Sequence, residues 1–300
     1  MLDEAGERRM HDIPKPRIGG IAVYLGFAFA LFSSIGYLIN SNYLRDLKQV
    51  HDLVGLIFGA TLILMVGIWD DVMGMSPRMK LAAQAIVATI SMLYGFQIPF
   101  VRDPFHHSAL VYLPLWASIP LTLVWYLGMM NAINFIDGLD GLLSGLAVIS
   151  GTFLLVINLT LGHPEIALIL AALVGGALGF LPYNFNPAKI ILGDSGALFV
   201  GYVFATVSIL GGSKQAFTIS LLVPLIALGL PIADTAVAIV RRTRAGKKFY
   251  EADRGHFHHQ LVFRFGLNVR QAVLLIYVVC AVLGVVALFL SGGAHALKLM

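Results

Sequence analysis

Residues 115–161 read LWASIPLTLVWYLGMMNAINFIDGLDGLLSGLAVISGTFLLVINLTL. Two segments of this stretch, 115–134 and 141–161, are almost wholly apolar, and each has the roughly 20 residues that a helix needs to cross the hydrocarbon core of a membrane. The short connection between them is rich in acidic and amide side chains instead. This stretch therefore predicts two membrane-spanning helices that are joined by a polar turn.

The rest of the chain repeats this pattern. Of its 300 residues, 58% are hydrophobic and only 12% are charged, whereas a soluble domain carries about 25% charged residues. We predict an all-α polytopic integral membrane protein that forms one domain over residues 1–300. The nine predicted spans are 19–40, 51–69, 80–98, 115–134, 141–161, 165–183, 194–212, 216–240 and 270–292. The single cysteine, Cys280, excludes an intrachain disulfide and zinc sites built on cysteine pairs.

The distribution of basic residues predicts the orientation. With these nine spans, fifteen of the twenty Lys and Arg residues fall on the same side of the membrane as the N-terminus. Since cytoplasmic loops carry the excess of Lys and Arg, we predict a cytoplasmic N-terminus and an external C-terminus. The same rule accounts for the net charge of +4, so we expect no nucleic-acid partner. The first eighteen residues are polar and charged, which excludes a cleavable signal sequence there.

Acidic residues gather on the predicted cytoplasmic side, at or near the ends of spans. They are Asp70, Asp71, Asp137, Asp140 and Asp194. Acidic side chains within or beside a membrane are functional candidates by default, because they are costly to keep there. A transporter or channel is the alternative from another functional class, but transporters place ionisable groups near the membrane midplane. Since the acids lie at one face, we favour an enzyme with its active site on the cytoplasmic face.

Asp70 and Asp71 form an adjacent pair that is followed by Lys80 and Gln84. Two neighbouring carboxylates repel each other unless a cation or a shared proton intervenes, so the pair indicates a divalent metal site or a proton-transfer site. A lysine at the membrane surface suits a lipid phosphate. The alternative is a solvated helix end.

A second cluster consists of Asn131, Asn134, Asp137 and Asp140, in which the two amides can share one helix face, as can the two acids. Two amides and two acids between apolar helices are hard to explain by packing, and the alternative is a calcium-like loop or a plain turn. A third motif ends in Asp194, which is flanked by small residues and precedes an apolar helix. Asp194 is the best single metal-ligand candidate; it can also act as a helix N-cap, and both roles can hold together.

The loop 241–264 contains a basic and histidine-rich motif. Its candidate residues are Arg254, His256, His258 and His259. Three histidines could bind zinc, but apart from Asp253 no cysteine or closely spaced acid completes a tetrahedral set, so we favour binding of an anion or a nucleobase. The stretch from Arg9 to Gly20 is also basic, and from physical arguments alone it is best explained as a membrane-surface anchor. Taken together, cytoplasmic acids with Lys, Arg and His suit magnesium and phosphates. Such a site at the bilayer surface implies one lipid substrate and one cytosolic substrate.

These five motifs together resemble the polyprenyl-phosphate N-acetylhexosamine-1-phosphate transferases (glycosyltransferase family 4), over nearly the whole chain. The HxHH form at 256–259 resembles the WecA/TagO branch more than the MraY branch, whose donor is a muramyl-pentapeptide nucleotide. The resemblance implies a bacterial plasma-membrane protein that uses UDP-GlcNAc and undecaprenyl phosphate, releases UMP and feeds cell-envelope polysaccharide synthesis. It further implies Mg²⁺ as cofactor, with Mn²⁺ as a substitute, and a homodimer.

The resemblance also implies roles for individual residues. Asp194 would bind magnesium with support from Asp70 or Asp71, and the aspartate pair would handle the acceptor's proton. Lys80 would hold a phosphate. The nucleotide site would be lined by Asn131, Asn134, Asp137, Asp140 and Asn184, and the sugar and pyrophosphate would be held by Arg254, His256, His258 and His259. Family members usually have a further transmembrane helix before the Arg9–Gly20 stretch, which we expect this chain to lack.

Overall fold

A computed structural model describes residues 2–3, 15–40, 47–102, 110–212, 228–244 and 257–291 of the chain. The helices within these ranges are α1 (Gly19–Asn40), α2 (Leu47–Met73), α3 (Pro77–Leu93), α4 (Leu115–Ile136), α5 (Leu142–Thr160), α6 (Pro164–Asn184), α7 (Gly193–Gly212), α8 (Gly229–Arg244), α9 (Phe257–Phe263) and α10 (Val269–Leu290). Among the described residues, six helices are long and apolar enough to cross a membrane: α2, α4, α5, α6, α7 and α10. The α1 helix contributes a shorter apolar stretch, Gly19–Ser34.

The observed helices confirm the predicted multi-pass helical architecture. Six predicted spans, 19–40, 115–134, 141–161, 165–183, 194–212 and 270–292, agree with observed helices to within two residues at each end. The span 216–240 lies partly outside the described ranges, which resume just before α8. The number of nine spans and the cytoplasmic N-terminus stay predictions.

Two boundaries differ from the predicted ones. The α2 helix runs on to Met73, so Asp70 and Asp71 lie inside the helix rather than just beyond it. The α3 helix has 17 residues and ends at Leu93 instead of 98, because the chain turns at Gly95, whose φ of 86° is readily adopted only by glycine. The chain is also not purely helical, since two short antiparallel pairs are present: β1 (Leu2–Asp3) with β2 (Lys15–Pro16), and β3 (Phe100–Arg102) with β4 (Leu110–Tyr112).

The α7 helix lies at the centre of the helix bundle. It packs against α1, α2 and α4, and nearly all of its side chains are buried, including Phe199, Tyr202 and Phe204. The α10 helix, by contrast, exposes many large apolar side chains, as expected of a lipid-facing helix. Because Asp194 lies in the first turn of α7, the most enclosed helix of the bundle carries this acid at its end.

Glycines allow three helices to touch backbone to backbone at the start of α7. A Cβ atom at Gly67 of α2 would lie 2.3 Å from the Cα of Ser195, and one at Gly20 of α1 would lie 2.2 Å from the amide nitrogen of Gly196. Neither distance leaves room for a methyl group. Small residues at such crossings are typical of membrane helices, which associate largely by close packing. We call this contact the glycine crossing.

The start of α1 also hydrogen-bonds to the segment that leads into α7. The amide of Ile191 donates to the carbonyl of Pro16 (3.0 Å), the amide of Gly19 donates to the carbonyl of Ile191 (3.0 Å), and the amide of Gly20 donates to the carbonyl of Leu192 (2.8 Å). These three bonds form what we call the N-terminal bridge. It fixes residues 16–20 beside the beginning of α7, and therefore beside Asp194.

Candidate active site

Four helices contribute polar side chains to one cluster around Lys80. The ammonium of Lys80 lies 2.5 Å from Asp194 Oδ1 and 2.9 Å from Asp70 Oδ2, and it donates to Asn134 Oδ1 at 3.1 Å. The Asn134 amide in turn donates to Asp194 Oδ1 at 2.6 Å. The structure thus brings together four residues that the sequence places in three separate motifs. We call this group the Lys80 cluster.

The turn between α2 and α3 places Lys80 and Asp70 opposite each other. Gly74 adopts a φ of 68° in this turn, and Asp70 Oδ1 accepts a hydrogen bond of 2.7 Å from the amide of Met75. Ser76 then caps α3 by accepting from the amide of Met79 at 3.3 Å, and Pro77 occupies the first helical position, which it favours. The local sequence therefore fixes where α3 begins and where Lys80 emerges.

Asp71 lies next to this cluster but faces α7. Its Oδ1 accepts from the amide of Asp194 and its Oδ2 accepts from the amide of Ser195, both at 2.9 Å. The Asp71 side chain is completely buried, whereas the Asp194 side chain is 26% exposed. Of these two acids, only Asp194 is open to a ligand in this arrangement.

Asn131 lies one helical turn below Asn134 and pairs with another amide. Its Nδ2 donates to Gln84 Oε1 at 2.6 Å, and Gln84 is itself one turn below Lys80 and fully buried. The Gln84–Asn131 pair thus forms a polar layer beneath the Lys80 cluster, toward the interior of the bundle. The predicted contact of Asn131 with a nucleotide stays a prediction.

Asp137 and Asp140 flank the turn that precedes α5. Burial, followed by the nearby charges of Asp194 and Asp71, raises the pKa of Asp137 to about 8. Asp140 Oδ2 accepts from the ammonium of Lys15 at 3.0 Å and from the amide of Ala188 at 2.9 Å. The ionisation of Asp137 is therefore coupled to the charges of Asp194 and Asp71. Asp140 instead joins the turn to the segments that contain Lys15 and Ala188.

The remaining predicted site residues are not brought to the Lys80 cluster by any described contact. Asn184 is buried, accepts from the Ser144 hydroxyl at 2.5 Å and donates to the carbonyl of Ile190 at 3.0 Å. His259 lies on α9, where its ring centroid is 5.9 Å from that of Phe263. The amide of Phe257, at the start of α9, donates to Asp234 of α8 at 2.8 Å. Arg254, His256 and the side chain of His258 lie outside the described residues.

Two basic residues belong to the site although sequence reasoning gave them no role there. Lys15 pairs with Asp140, and Arg17 Nη1 lies 3.7 Å from Asp71 Oδ1. Both lie in the Arg9–Gly20 stretch, which physical arguments explained as a membrane anchor. The pair Gly19–Gly20 makes the N-terminal bridge and the glycine crossing possible. This pair was the sequence signal that the stretch enters the bundle.

The donors around Lys80 fit a magnesium ion. Among the described residues, no three acidic or histidine side chains are grouped as a ready-made metal site. Magnesium, however, is usually held by one or two carboxylates together with water and substrate phosphates. Asp194 Oδ2 makes no hydrogen bond within the described part of the chain, and the charges of Asp194 and Asp71 add to burial in raising the pKa of Asp137. The suitable carboxylates are Asp194 and Asp70, the two that contact Lys80.

Comparison with known proteins gives a consistent result. Residues 53–212 match the glycosyl transferase family 4 profile. A probable undecaprenyl-phosphate N-acetylglucosaminyl 1-phosphate transferase of Bacillus subtilis is 35% identical, over 99% of this chain and 79% of its own length. A decaprenyl-phosphate N-acetylglucosaminephosphotransferase of Mycolicibacterium smegmatis is also 35% identical, over 90% and 70% respectively. A phospho-N-acetylmuramoyl-pentapeptide-transferase of Staphylococcus aureus is 26% identical, over 98% and 89%.

Proposed function

The chain belongs to glycosyl transferase family 4, and from this membership we propose that it transfers N-acetylglucosamine-1-phosphate from UDP-GlcNAc to undecaprenyl phosphate. The observation that carries the proposal is the Lys80 cluster, in which one lysine lies between two carboxylates and an amide at the end of a buried helix. Such a group can bind phosphates and a divalent cation together. The names of the two relatives at 35% identity support the same reaction.

In the proposed reaction, an oxygen of the lipid phosphate attacks the β-phosphorus of the UDP-sugar. The new P–O bond forms as the bond to the bridging oxygen breaks, and UMP leaves with that electron pair. Lys80 holds a phosphate oxygen of the reacting groups, and Asn134 orients the Asp194 carboxylate. Magnesium held by Asp194 and Asp70 would neutralise the charge that builds up on the leaving phosphate. Asp70 would take up a proton from the acceptor.

A groove on α8 suits the lipid substrate. It has a volume of about 610 Å³ and is lined by Ala236, Val237, Val240, Arg241 and Arg244. Apolar side chains match an isoprenoid chain, and arginines suit its phosphate. The α8 helix packs on α4. At this contact the buried Arg242 of α8 lies 5.6 Å from the ring of Phe135 of α4, and Phe135 directly follows Asn134 in the chain. The groove is therefore carried by a helix that packs on α4, the helix that carries Asn134.

The proposal is tested by the release of UMP from the purified protein in lipid nanodiscs. We expect UMP only when UDP-GlcNAc, undecaprenyl phosphate and Mg²⁺ are all present, and none after EDTA. Omission of the lipid serves as the control for simple hydrolysis of the donor. Release with UDP-MurNAc-pentapeptide instead of UDP-GlcNAc would assign the chain to the reaction named for the S. aureus relative. Silence with both donors, in folded protein, would contradict the proposal.

Asp137 gives rise to a pH-dependent prediction. Its pKa is 3.8 in an unfolded chain and about 8 in the folded protein, so between these values the folded state holds an extra proton. The free energy of unfolding should therefore fall as the pH rises from 4 to 8 and level off above 8. An Asp137→Asn variant, which cannot ionise, should be more stable than the wild type in EDTA at pH 7.5, by on the order of a few kcal/mol.

Thermal unfolding in EDTA at pH 5, 6.5 and 8 checks this expectation. The difference in melting temperature between the variant and the wild type should widen with pH over this interval. As the pH rises, folding of the wild type requires Asp137 either to take up a proton that is increasingly scarce or to be buried as a charged group. Two melting curves that shift in parallel with pH would show that Asp137 ionises normally in the folded protein.

A further inference from the structure

The adjacent acids Asp70 and Asp71 make contacts with different partners. Consecutive residues of an α-helix point about 100° apart, so two neighbouring carboxylates cannot share one position. Asp70 lies against Lys80 and the α2–α3 turn. Asp71 lies against the first turn of α7. Asp70 thus belongs to the Lys80 cluster, whereas Asp71 belongs to the contact between α2 and α7.

The contacts of Asp71 are those of a helix cap supplied by another helix. The first N–H groups of a helix have no partner within it, and α7 begins at Gly193. Asp71 accepts from the second and third amides of this helix, those of Asp194 and Ser195. A negative charge at this position is favourable, because the N-terminus of a helix carries a partial positive charge.

The surroundings leave Asp71 no room for a further ligand. Both of its oxygens already accept a hydrogen bond, and the side chain has no exposed surface. At Gly193, where φ is +78°, a Cβ atom would lie 2.7 Å from Asp71 Oδ2. Gly67, one helical turn before Asp71, brings the backbone of α2 against Ser195. The chain thus encloses this carboxylate between α2 and α7.

We propose that Asp71 is a positioning residue, which holds the first turn of α7 so that the Asp194 carboxylate faces Lys80, and that it neither binds the metal nor accepts the substrate's proton. Of the two adjacent acids, Asp70 alone contacts reacting groups. This inference rests on the proposed function for the identity of the reaction. The capping contact itself can be tested without any substrate.

The first test is the melting temperature in EDTA. Asp71→Asn should lower it by about 5 °C, because the amide offers one acceptor and turns its NH₂ toward a helix N–H. The matched variant Asp70→Asn should change it by less than about 2 °C, since the asparagine oxygen can still accept from Met75 and Lys80 keeps its ion pair with Asp194. If Asp71 were a metal ligand, Asp71→Asn should instead raise the melting temperature in EDTA. Removing one negative charge from a group of acids that lacks its metal relieves their repulsion. An unchanged or higher melting temperature for Asp71→Asn would overturn the proposal.

A second measurement uses the wild-type protein and does not depend on how the variants fold. In EDTA, the amides of Asp194 and Ser195 should exchange slowly with deuterium, and added Mg²⁺ should not alter their exchange. Fast exchange in EDTA, or exchange that accelerates when Mg²⁺ draws the carboxylate away, would contradict the capping role.

A third measurement separates positioning from a general loss of stability. Asp71→Asn should raise the Mg²⁺ concentration for half-maximal UMP release about tenfold, as is typical when a residue that orients a metal ligand is lost. Replacing Asp194 with cysteine should give protein that Cd²⁺ reactivates better than Mg²⁺, since thiolates prefer softer metals. Asp71→Cys should show no such preference, and reactivation by Cd²⁺ would identify Asp71 as a ligand. If the wild type releases no UMP, the proposed function fails, while the first two measurements still decide the role of Asp71.

Discussion

Replacing Asp194 with asparagine is expected to lower UMP release by about 1,000-fold, because it removes the charge of the accessible carboxylate beside Lys80. Asparagine keeps the shape of the side chain, so the first turn of α7 should persist. Lys80 would lose one of its two carboxylate partners and keep Asp70. The measurement is the initial rate of UMP release at saturating substrates, together with the Mg²⁺ dependence of that rate.

Glu165→Gln is the matched control for this variant. Glu165 is also an acid in the first turn of a long apolar helix, α6, but it lies 3.9 Å from His163 Nδ1 rather than beside Lys80. Its replacement should leave the rate within about twofold, since substitutions away from functional contacts are usually nearly neutral. If Asp194→Asn retained more than a tenth of the wild-type rate, Asp194 would not be the principal metal ligand.

Replacing Gly67 with alanine is expected to disable the site without changing any polar group. The added methyl group would lie 2.3 Å from the Cα of Ser195 and 2.8 Å from the carbonyl oxygen of Asp194. Both are backbone atoms, so α2 and α7 must separate. We expect a loss of stability of about 1–3 kcal/mol from this overpacking. Since a shift of about 1 Å misplaces catalytic groups, we also expect activity to fall about 100-fold.

Gly128→Ala is the control for this prediction. Gly128 lies within α4, and a Cβ atom there would have no neighbour within 4 Å. The exchange should be neutral or slightly stabilising, because alanine is the better helix former. Thermal unfolding and UMP release of the two variants, measured side by side, check both expectations. Equal behaviour of Gly67→Ala and Gly128→Ala would mean that the glycine crossing is looser than described.

Much of the helical architecture could be predicted from composition and from the length of the apolar segments. The spans at α4, α5, α6 and α7 agree closely with the observed helices because lipid imposes both the length and the apolar character of a spanning segment. The predicted span 80–98 extends past the observed end of α3 at Leu93. The residues beyond Leu93 are also largely apolar, and only the glycine turn ends the helix. Hydropathy alone does not detect such a stop.

The sequence predicted that several polar residues share one side of the membrane, but not the geometry in which they meet. Spacing placed Lys80, Asn134 and Asp194 near one side of the membrane, and the structure brings them into contact. Spacing could not show that Asp70 and Asp71 have different partners, because this depends on how α2 rotates against α7. Nor could it assign Lys15 and Arg17 to the site. Their place depends on backbone hydrogen bonds between segments far apart in the sequence, which leave no periodic pattern.

The N-terminal bridge has a consequence for how the protein is made. Residues 16–20 leave the ribosome first, and their hydrogen-bond partners at 191–192 follow roughly 170 residues later, a delay on the order of 10–30 s at ordinary rates of translation. Until then, Asp71 has no helix end to cap and Lys80 has no Asp194 to bind. The nascent chain must therefore insert α1 through α6 before its active site can exist. The Lys80 cluster thus forms only late in biogenesis, when α7 enters the bundle.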